Sequence, residues 1–225
     1  MRQRYTAVAP LYDALSAEWP VYRAGRVRGI PLLRLSEGNS VLDVGCGTGL
    51  NFPLLLDAVG PRGQVLGVDT SCDMLRTARR RLGRPPPANV HLIERDATRL
   101  GDLAPEVAPL VGRGPDAILF TYALSLMKPW QAAWDGATAL ARPGTRIVIV
   151  DMALPTGRGR LLAPLARMAC AVGGADIAAH PWTRLAVECA DITHLSARGG
   201  HVQIWAGTWT ASSAHARGSQ PNLVS

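Results

Sequence analysis

The run Val41-Leu42-Asp43-Val44-Gly45-Cys46-Gly47-Thr48-Gly49 constrains the fold of this 225-residue chain more than any other stretch. Its first four residues read as a buried strand that stops at three glycines spaced two apart. Without a Cβ, glycine lets such a loop turn sharply and bring backbone amides close to a bound ligand. A strand feeding a glycine turn is the opening unit of a parallel sheet with crossover helices. The spacing is G-x-G-x-G, with Asp43 two residues before Gly45, and so departs from the G-x-G-x-x-G of dinucleotide sites.

The rest of the chain repeats this rhythm. Short apolar runs predict strands over Ser40–Val44, Gln64–Asp69, Val90–Glu94, Ala117–Tyr122 and Arg146–Asp151. Helical periodicity predicts helices over Asn51–Val59, Ser71–Leu82 and Lys128–Ala141, with Ser71 and Asp73 placed to cap the second. Beyond Asp151 a Pro/Gly/Arg segment leads to an apolar helical stretch over Leu161–Val172, and residues 152–190 read as a lid or substrate segment. Ile192–Ala197 and His201–Trp209 flank Arg198-Gly199-Gly200 as the arms of a hairpin. Residues 1–38, with Tyr5, Tyr12, Trp19 and Tyr22, read as an N-terminal helical cap. The polar residues 212–225 read as a disordered tail, leaving one domain over 1–211.

Composition narrows the class. With 48% hydrophobic residues the chain can bury a full core without staples. Its four cysteines are widely spaced with no C-x-x-C pair, so no metal is expected and a reducing cytoplasm is the simplest setting. No run reaches the roughly 20 apolar residues of a membrane span. The net charge of +7 comes almost wholly from arginines scattered along the chain, Lys128 being the single lysine. The densest group, Arg76, Arg79, Arg80, Arg81 and Arg84, suits a solvated helix end.

Two further carboxylates follow the glycine loop. Asp69 closes the second strand, where a carboxylate accepts hydrogen bonds from vicinal ribose hydroxyls, a device NAD enzymes share, or caps the next helix. Asp96 follows the third strand.

Together, Asp43 to Gly49, Asp69 and Glu94-Arg95-Asp96-Ala97 resemble the motifs of the class I S-adenosylmethionine-dependent methyltransferases. The resemblance implies a Rossmann-like α/β fold: a doubly wound seven-stranded sheet, mostly parallel with an antiparallel last strand, and helices on both faces. It implies S-adenosylmethionine as cofactor. Gly45, Cys46, Gly47 and Gly49 would meet its methionine end and Asp43 its ammonium. Asp69, Thr70 and Met74 would lie near ribose or adenine, and Asp96 and Ala97 near the adenine amino group. Thr121 and Tyr122 would pass beneath it. Met74 is equally suited to the core, and Asp96 to a turn. Leu140-Ala141-Arg142-Pro143-Gly144-Thr145 resembles the family's L-K-P-G-G turn, with Thr145 in place of the second glycine.

Two finer resemblances bear on the methyl acceptor. Ala9-Pro10-Leu11-Tyr12-Asp13 is similar to the A-P-x-Y-D entry of quinone C-methyltransferases and phospholipid N-methyltransferases. Tyr122-Ala123-Leu124-Ser125-Leu126-Met127-Lys128-Pro129-Trp130 is similar to a stretch of betaine-lipid headgroup N-methyltransferases. They imply methyl transfer to a small-molecule or lipid-like acceptor, with an amine as first choice and C- or O-methylation of a quinone or natural-product ring as alternative. A lipid-like acceptor brings peripheral membrane contact with it. Nucleic acid is disfavoured, because the N-P-P-Y and Pro-Cys signatures of nucleic-acid methylation are absent. A scaffold that holds the cofactor without transferring its methyl is the reading from another class.

Tyr12, Tyr122 and His180 are the acceptor-site candidates. Aromatic faces favour a cationic amine or flank a planar ring, and a histidine serves as general base near neutral pH. The tyrosines suit core packing equally, His180 suits a loop contact, and His194 and His201, beside the hairpin turn, suit structural or exposed roles. The cofactor expectation is checked by calorimetry: S-adenosylmethionine binds and NADH does not, whereas binding of NADH alone would contradict it.

Overall fold

Seven strands, β1 (Ser40–Val44), β2 (Gln64–Asp69), β3 (Val90–Glu94), β4 (Ala117–Thr121), β5 (Arg146–Met152), β6 (Cys189–Ala197) and β7 (Val202–Trp209), join in one sheet. Their order is β3-β2-β1-β4-β5-β7-β6. The computed structural model describes residues 22–112 and 114–210. Expectations for residues 1–21, Tyr5 and Tyr12 included, and for the tail lie outside the described residues.

Strands β1 to β5 are parallel, and β7 runs antiparallel between β5 and β6. Every residue of β1, β4 and β5 is buried, as continuous apolar runs covered on both faces must be. From β1 the chain winds outward to β2 and β3, then returns to place β4 on the other side. The carboxyl ends of β1 and β4 therefore flank a topological switch point, where open α/β sheets bind ligands.

Helices cover both faces. Helix α1 (Arg23–Gly29), a 3-10 turn over Ile30–Leu33, α2 (Phe52–Val59) and α3 (Cys72–Arg81) pack on one, around Phe52, Leu55 and Leu119. A 3-10 segment over Ala97–Leu103, α4 (Ala104–Val111), α5 (Trp130–Thr138) and α7 (Trp182–Glu188) pack on the other. Helix α6 (Ala163–Gly173) follows a 3-10 segment over Gly157–Leu162, close to the expected Leu161–Val172. Helix α1 approaches the sheet closely because Gly25 faces it: a Cβ there would collide with the Tyr122 hydroxyl and come within 2.6 Å of Val150.

Several boundaries differ from the sequence expectation. Strand β4 ends at Thr121 because Tyr122 takes a left-handed φ of 53°. Strand β6 starts at Cys189 rather than Ile192, across an irregularity between Ala190 and Thr193. Helices α4 and α7 were not anticipated. Helix α4 carries two prolines, Pro105 and Pro109, and Pro105 sits in its first turn, where no amide donor is needed.

Trp134 on α5 joins the second face together. It is fully buried, its ring lies 6.0 Å from Phe120 and 6.3 Å from Trp209, and its Nε1 donates to Glu188 at 2.9 Å. Trp134→Ala is expected to lower stability by about 3–5 kcal/mol in urea denaturation, as large buried aromatics do. A loss under about 1 kcal/mol would contradict this packing account.

Candidate active site

The glycine loop leaves β1 and folds back onto β2. The amides of Gly45 and Cys46 donate to the Val68 carbonyl at 2.8 and 3.0 Å. The Gly47 amide donates to Asp69 Oδ2 at 2.9 Å, and Asp69 Oδ1 accepts from the Ser71 amide at 2.9 Å. One carboxylate thus ties the loop to the entry of α3. Gly45 takes φ 71°, and a Cβ there would lie 2.7 Å from that of Ala123. Gly47 takes φ 56° and faces open space, so its side of the loop is free for a ligand.

Asp43 is fully buried. Both its oxygens accept from Asn51 Nδ2 at 2.9 Å, and the same nitrogen lies 2.6 Å from Thr121 Oγ1. Asn51 Oδ1 accepts from Arg26 Nη1 on α1 at 2.8 Å. Burial pushes the Asp43 carboxyl up to about 7, against the opposing effects of the Asn51 hydrogen bond and the Arg26 charge. Burial also raises Asp69, against three backbone amides that hold its charged form. The Cys46 thiol is pushed well above its usual range by burial and then by Asp43 and Asp69, which keeps it protonated.

The other expected cofactor residues lie along the carboxyl edge. Thr70 is exposed beyond β2, and Met74 is buried on α3, whose N-cap Ser71 accepts from the Met74 amide at 3.3 Å. Asp96 is exposed and caps the 3-10 segment, accepting from the Thr98 amide and hydroxyl at 2.9 and 2.8 Å, and Ala97 behind it is buried. Thr121 is buried against Asn51.

The acceptor-site candidates are divided. The Tyr122 hydroxyl donates to the Tyr22 carbonyl at 2.8 Å, the two rings lie 4.7 Å apart, and the Arg26 guanidinium sits 5.4 Å from the Tyr122 ring centre. His201 lies 6.2 Å from the Tyr22 ring, its Nδ1 paired with the Ala153 carbonyl at 2.7 Å. His180 is exposed in a different neighbourhood, tilted 5.1 Å from Trp182, which in turn stacks on Trp205, itself stacked on His194.

Sequence reasoning did not single out Asn51, Arg26 or Asp151. Asn51 stands at the helix N-cap position but makes no capping bond, so its local pattern conceals its role. Asp151 is fully buried at the end of β5, accepts from the Ser125 hydroxyl and amide and from the Met152 amide, and is raised to about 6 by burial. Ser125 falls within the 122–130 stretch singled out in the sequence.

This arrangement fits S-adenosylmethionine. The open face of Gly47 admits backbone approach, the half-buried Asp69 carboxylate stands at the end of β2 for a diol, and two carboxyls under the loop favour a ligand that carries an ammonium and a sulfonium.

Residues 42–147 match the methyltransferase domain family. The chain is 29% identical over 157 residues to the ubiquinone/menaquinone biosynthesis C-methyltransferase UbiE of Syntrophotalea carbinolica, an alignment covering 69% of this chain and 62% of that protein. It is 24% identical over 153 residues to the demethylmenaquinone methyltransferase of Listeria welshimeri, covering 67% and 61%. It therefore spans just over three fifths of the length of these relatives. Among solved structures, an S-adenosylmethionine-dependent methyltransferase from Aquifex aeolicus superposes with a TM-score of 0.58 at 16% identity over 88% of this chain and 98% of that one, a likeness of fold. The loop, the carboxylates behind it and the domain match agree: residues 42–147 carry a methyltransferase domain, and the chain is similar there to S-adenosylmethionine-dependent methyltransferases.

Proposed function

We propose that this chain transfers a methyl group from S-adenosylmethionine to a ring carbon of a small, lipid-like acceptor of the quinol class. The observation that supports this reading is the aromatic cluster at the carboxyl end of the sheet, in which Tyr122 follows β4 at the switch point, its ring 4.7 Å from Tyr22, and His201 lies 6.2 Å from the Tyr22 ring. The relatives named for quinone biosynthesis support the same acceptor class. The amine first implied by the 122–130 stretch is less well served. The Arg26 guanidinium already lies over the Tyr122 ring, on the aromatic face a cationic amine would use.

The bound donor supplies a methyl group on a positively charged sulfur, which leaves as a neutral thioether. The protein's work is orientation and exclusion of water. The open face of the loop at Gly47 would receive the methionine end and Asp69 the ribose hydroxyls, with the Asp43 carboxyl buried beneath the loop. Thr121 and Tyr122, at the end of β4, set the floor on the acceptor side, and Asp96 with Ala97 set the adenine edge. Tyr22 and Tyr122, packed on each other, present a single aromatic wall to the acceptor ring. With Nδ1 of His201 donating to the Ala153 carbonyl, Nε2 keeps its lone pair and takes the proton from a ring hydroxyl. Electron density then moves to the adjacent ring carbon, which attacks the methyl group. Loss of the proton from that carbon to water restores the aromatic ring.

Labelled S-adenosylmethionine offered to the protein with a demethylated naphthoquinol and with phosphatidylethanolamine separates the acceptors. Label is expected on a ring carbon of the quinol, and label on the amine lipid alone would overturn the reading. His201→Gln is expected to lower kcat by about 100-fold or more with little change in cofactor affinity. An unchanged kcat would remove His201 from the mechanism.

A further inference from the structure

We propose that the carboxyl end of the sheet is a docking face for a bilayer surface that carries anionic phospholipid. Three segments meet there. Strand β7 starts opposite Met152 at the end of β5, so the turn between β6 and β7 lies at this end. The amide of Thr156 donates to the Gly199 carbonyl in that turn at 2.8 Å, which ties the entry of α6 to it. The far end of α6 is held by Cys170 against Met152 and, just beyond, by the Asp176 amide donating to the Ser125 carbonyl at 2.8 Å. From the other side, Arg23, Val27 and Arg28 of α1 share one shallow hollow with Arg198 of the turn.

The charge of these segments is one-sided. Residues 22–36, 152–175 and 192–210 contain no aspartate or glutamate, yet they carry Arg28, Arg160, Arg167 and Arg198, all exposed. These four arginines, far apart in the sequence, are thus brought by the fold to the carboxyl end of the sheet. Between them lies apolar surface: Leu161 is 90% exposed, Leu165 57% and Met168 60%, at four- and three-residue spacing along one side of the α6 segment, with Val27 at 44% on α1. The opposite side of α6 is anchored by buried Cys170.

An exposed apolar strip bordered by arginines and free of acids in its own segments matches what an anionic bilayer offers. Leucine and methionine side chains enter the acyl boundary while guanidinium groups stay at the phosphates. A zwitterionic surface would satisfy the strip but not the charge, and a polynucleotide would satisfy the charge but leave the leucines in water. The inference stands apart from the methyl-transfer reading, because vesicle binding is measured without turnover.

Flotation of the full chain with phosphatidylcholine vesicles, with and without phosphatidylglycerol, tests it. Binding is expected only when phosphatidylglycerol is present and is expected to fall by at least about tenfold at high salt. The triple variant Leu161→Ser, Leu165→Ser, Met168→Ser and the triple variant Arg160→Glu, Arg167→Glu, Arg198→Glu should each lose at least about tenfold in binding with the thermal unfolding midpoint retained. If either triple variant fails to fold, Leu161→Ser alone, at the most exposed position, should still weaken binding severalfold. Four outcomes would overturn the proposal. They are equal binding to both vesicle types, no binding to either, vesicle binding that all these substitutions leave unchanged, and salt-sensitive association with a polynucleotide or a second copy of the chain without vesicle binding.

Discussion

A carboxylate sealed inside the sheet organises this molecule. Asp43 is fully buried at the end of the central strand, and its partners come from three other places in the chain: Asn51 at the entry of α2, Thr121 at the end of β4 through that asparagine, and Arg26 from α1 beyond it. An unpaired charge there would be too costly, so these elements must assemble around it together. The compensation is partial. Its folded-state pKa of about 7 lies above the ordinary 3.8 of an unburied carboxyl. Its contribution therefore favours the folded chain below about pH 4 and is lost as pH rises through about 7. The carboxyl is kept at a stability cost that a nearby cation offsets.

The same end of the sheet collects every other feature tied to function. The glycine loop and Asp69 lie on one side of the switch point, and the Tyr22, Tyr122 and His201 cluster on the other. Arg26 belongs to both, since it bonds Asn51 and lies over Tyr122, and it makes α1 a physical link between the start of α2 after the glycine loop and Tyr122 at the end of β4. The acid-free segments and the exposed leucines of the α6 region border this area. Under the proposed function and docking face, an acceptor with a polar ring and an apolar tail would be presented from a lipid surface to the Tyr22 and Tyr122 wall.

Much of this was legible in the sequence, for a physical reason. Strands β1 to β5 are short apolar runs ending at turns, and those covered on both faces have no alternation to confuse with another element. The loop was legible because only glycine permits its backbone at Gly45. Where the chain is exposed or irregular the pattern failed. Strand β6 is mostly exposed and broken near Asp191, whose φ is 49°, so its first three residues looked like loop. Helix α4 hid behind its prolines. The partners that complete the site were illegible for a different reason. Arg26 meets Asn51 across 25 residues and His201 meets Ala153 across 48, and no local pattern encodes such pairs. The sequence favoured His180 as the acceptor-site histidine and gave His201 a structural or exposed role, but the fold sets His180 against Trp182 and His201 near Tyr22.

The central claim is that a carboxyl beneath the glycine loop is held close to neutrality until a cation arrives above it. Calorimetric titration of the protein with S-adenosylhomocysteine, repeated near pH 6.5 in buffers of different ionisation enthalpy, counts the protons exchanged on binding. The account predicts net proton release, because the ligand's ammonium lowers the pKa of Asp43, and predicts that release is largely abolished in Asp43→Asn. Proton uptake, or release of the same size in the variant, would contradict it.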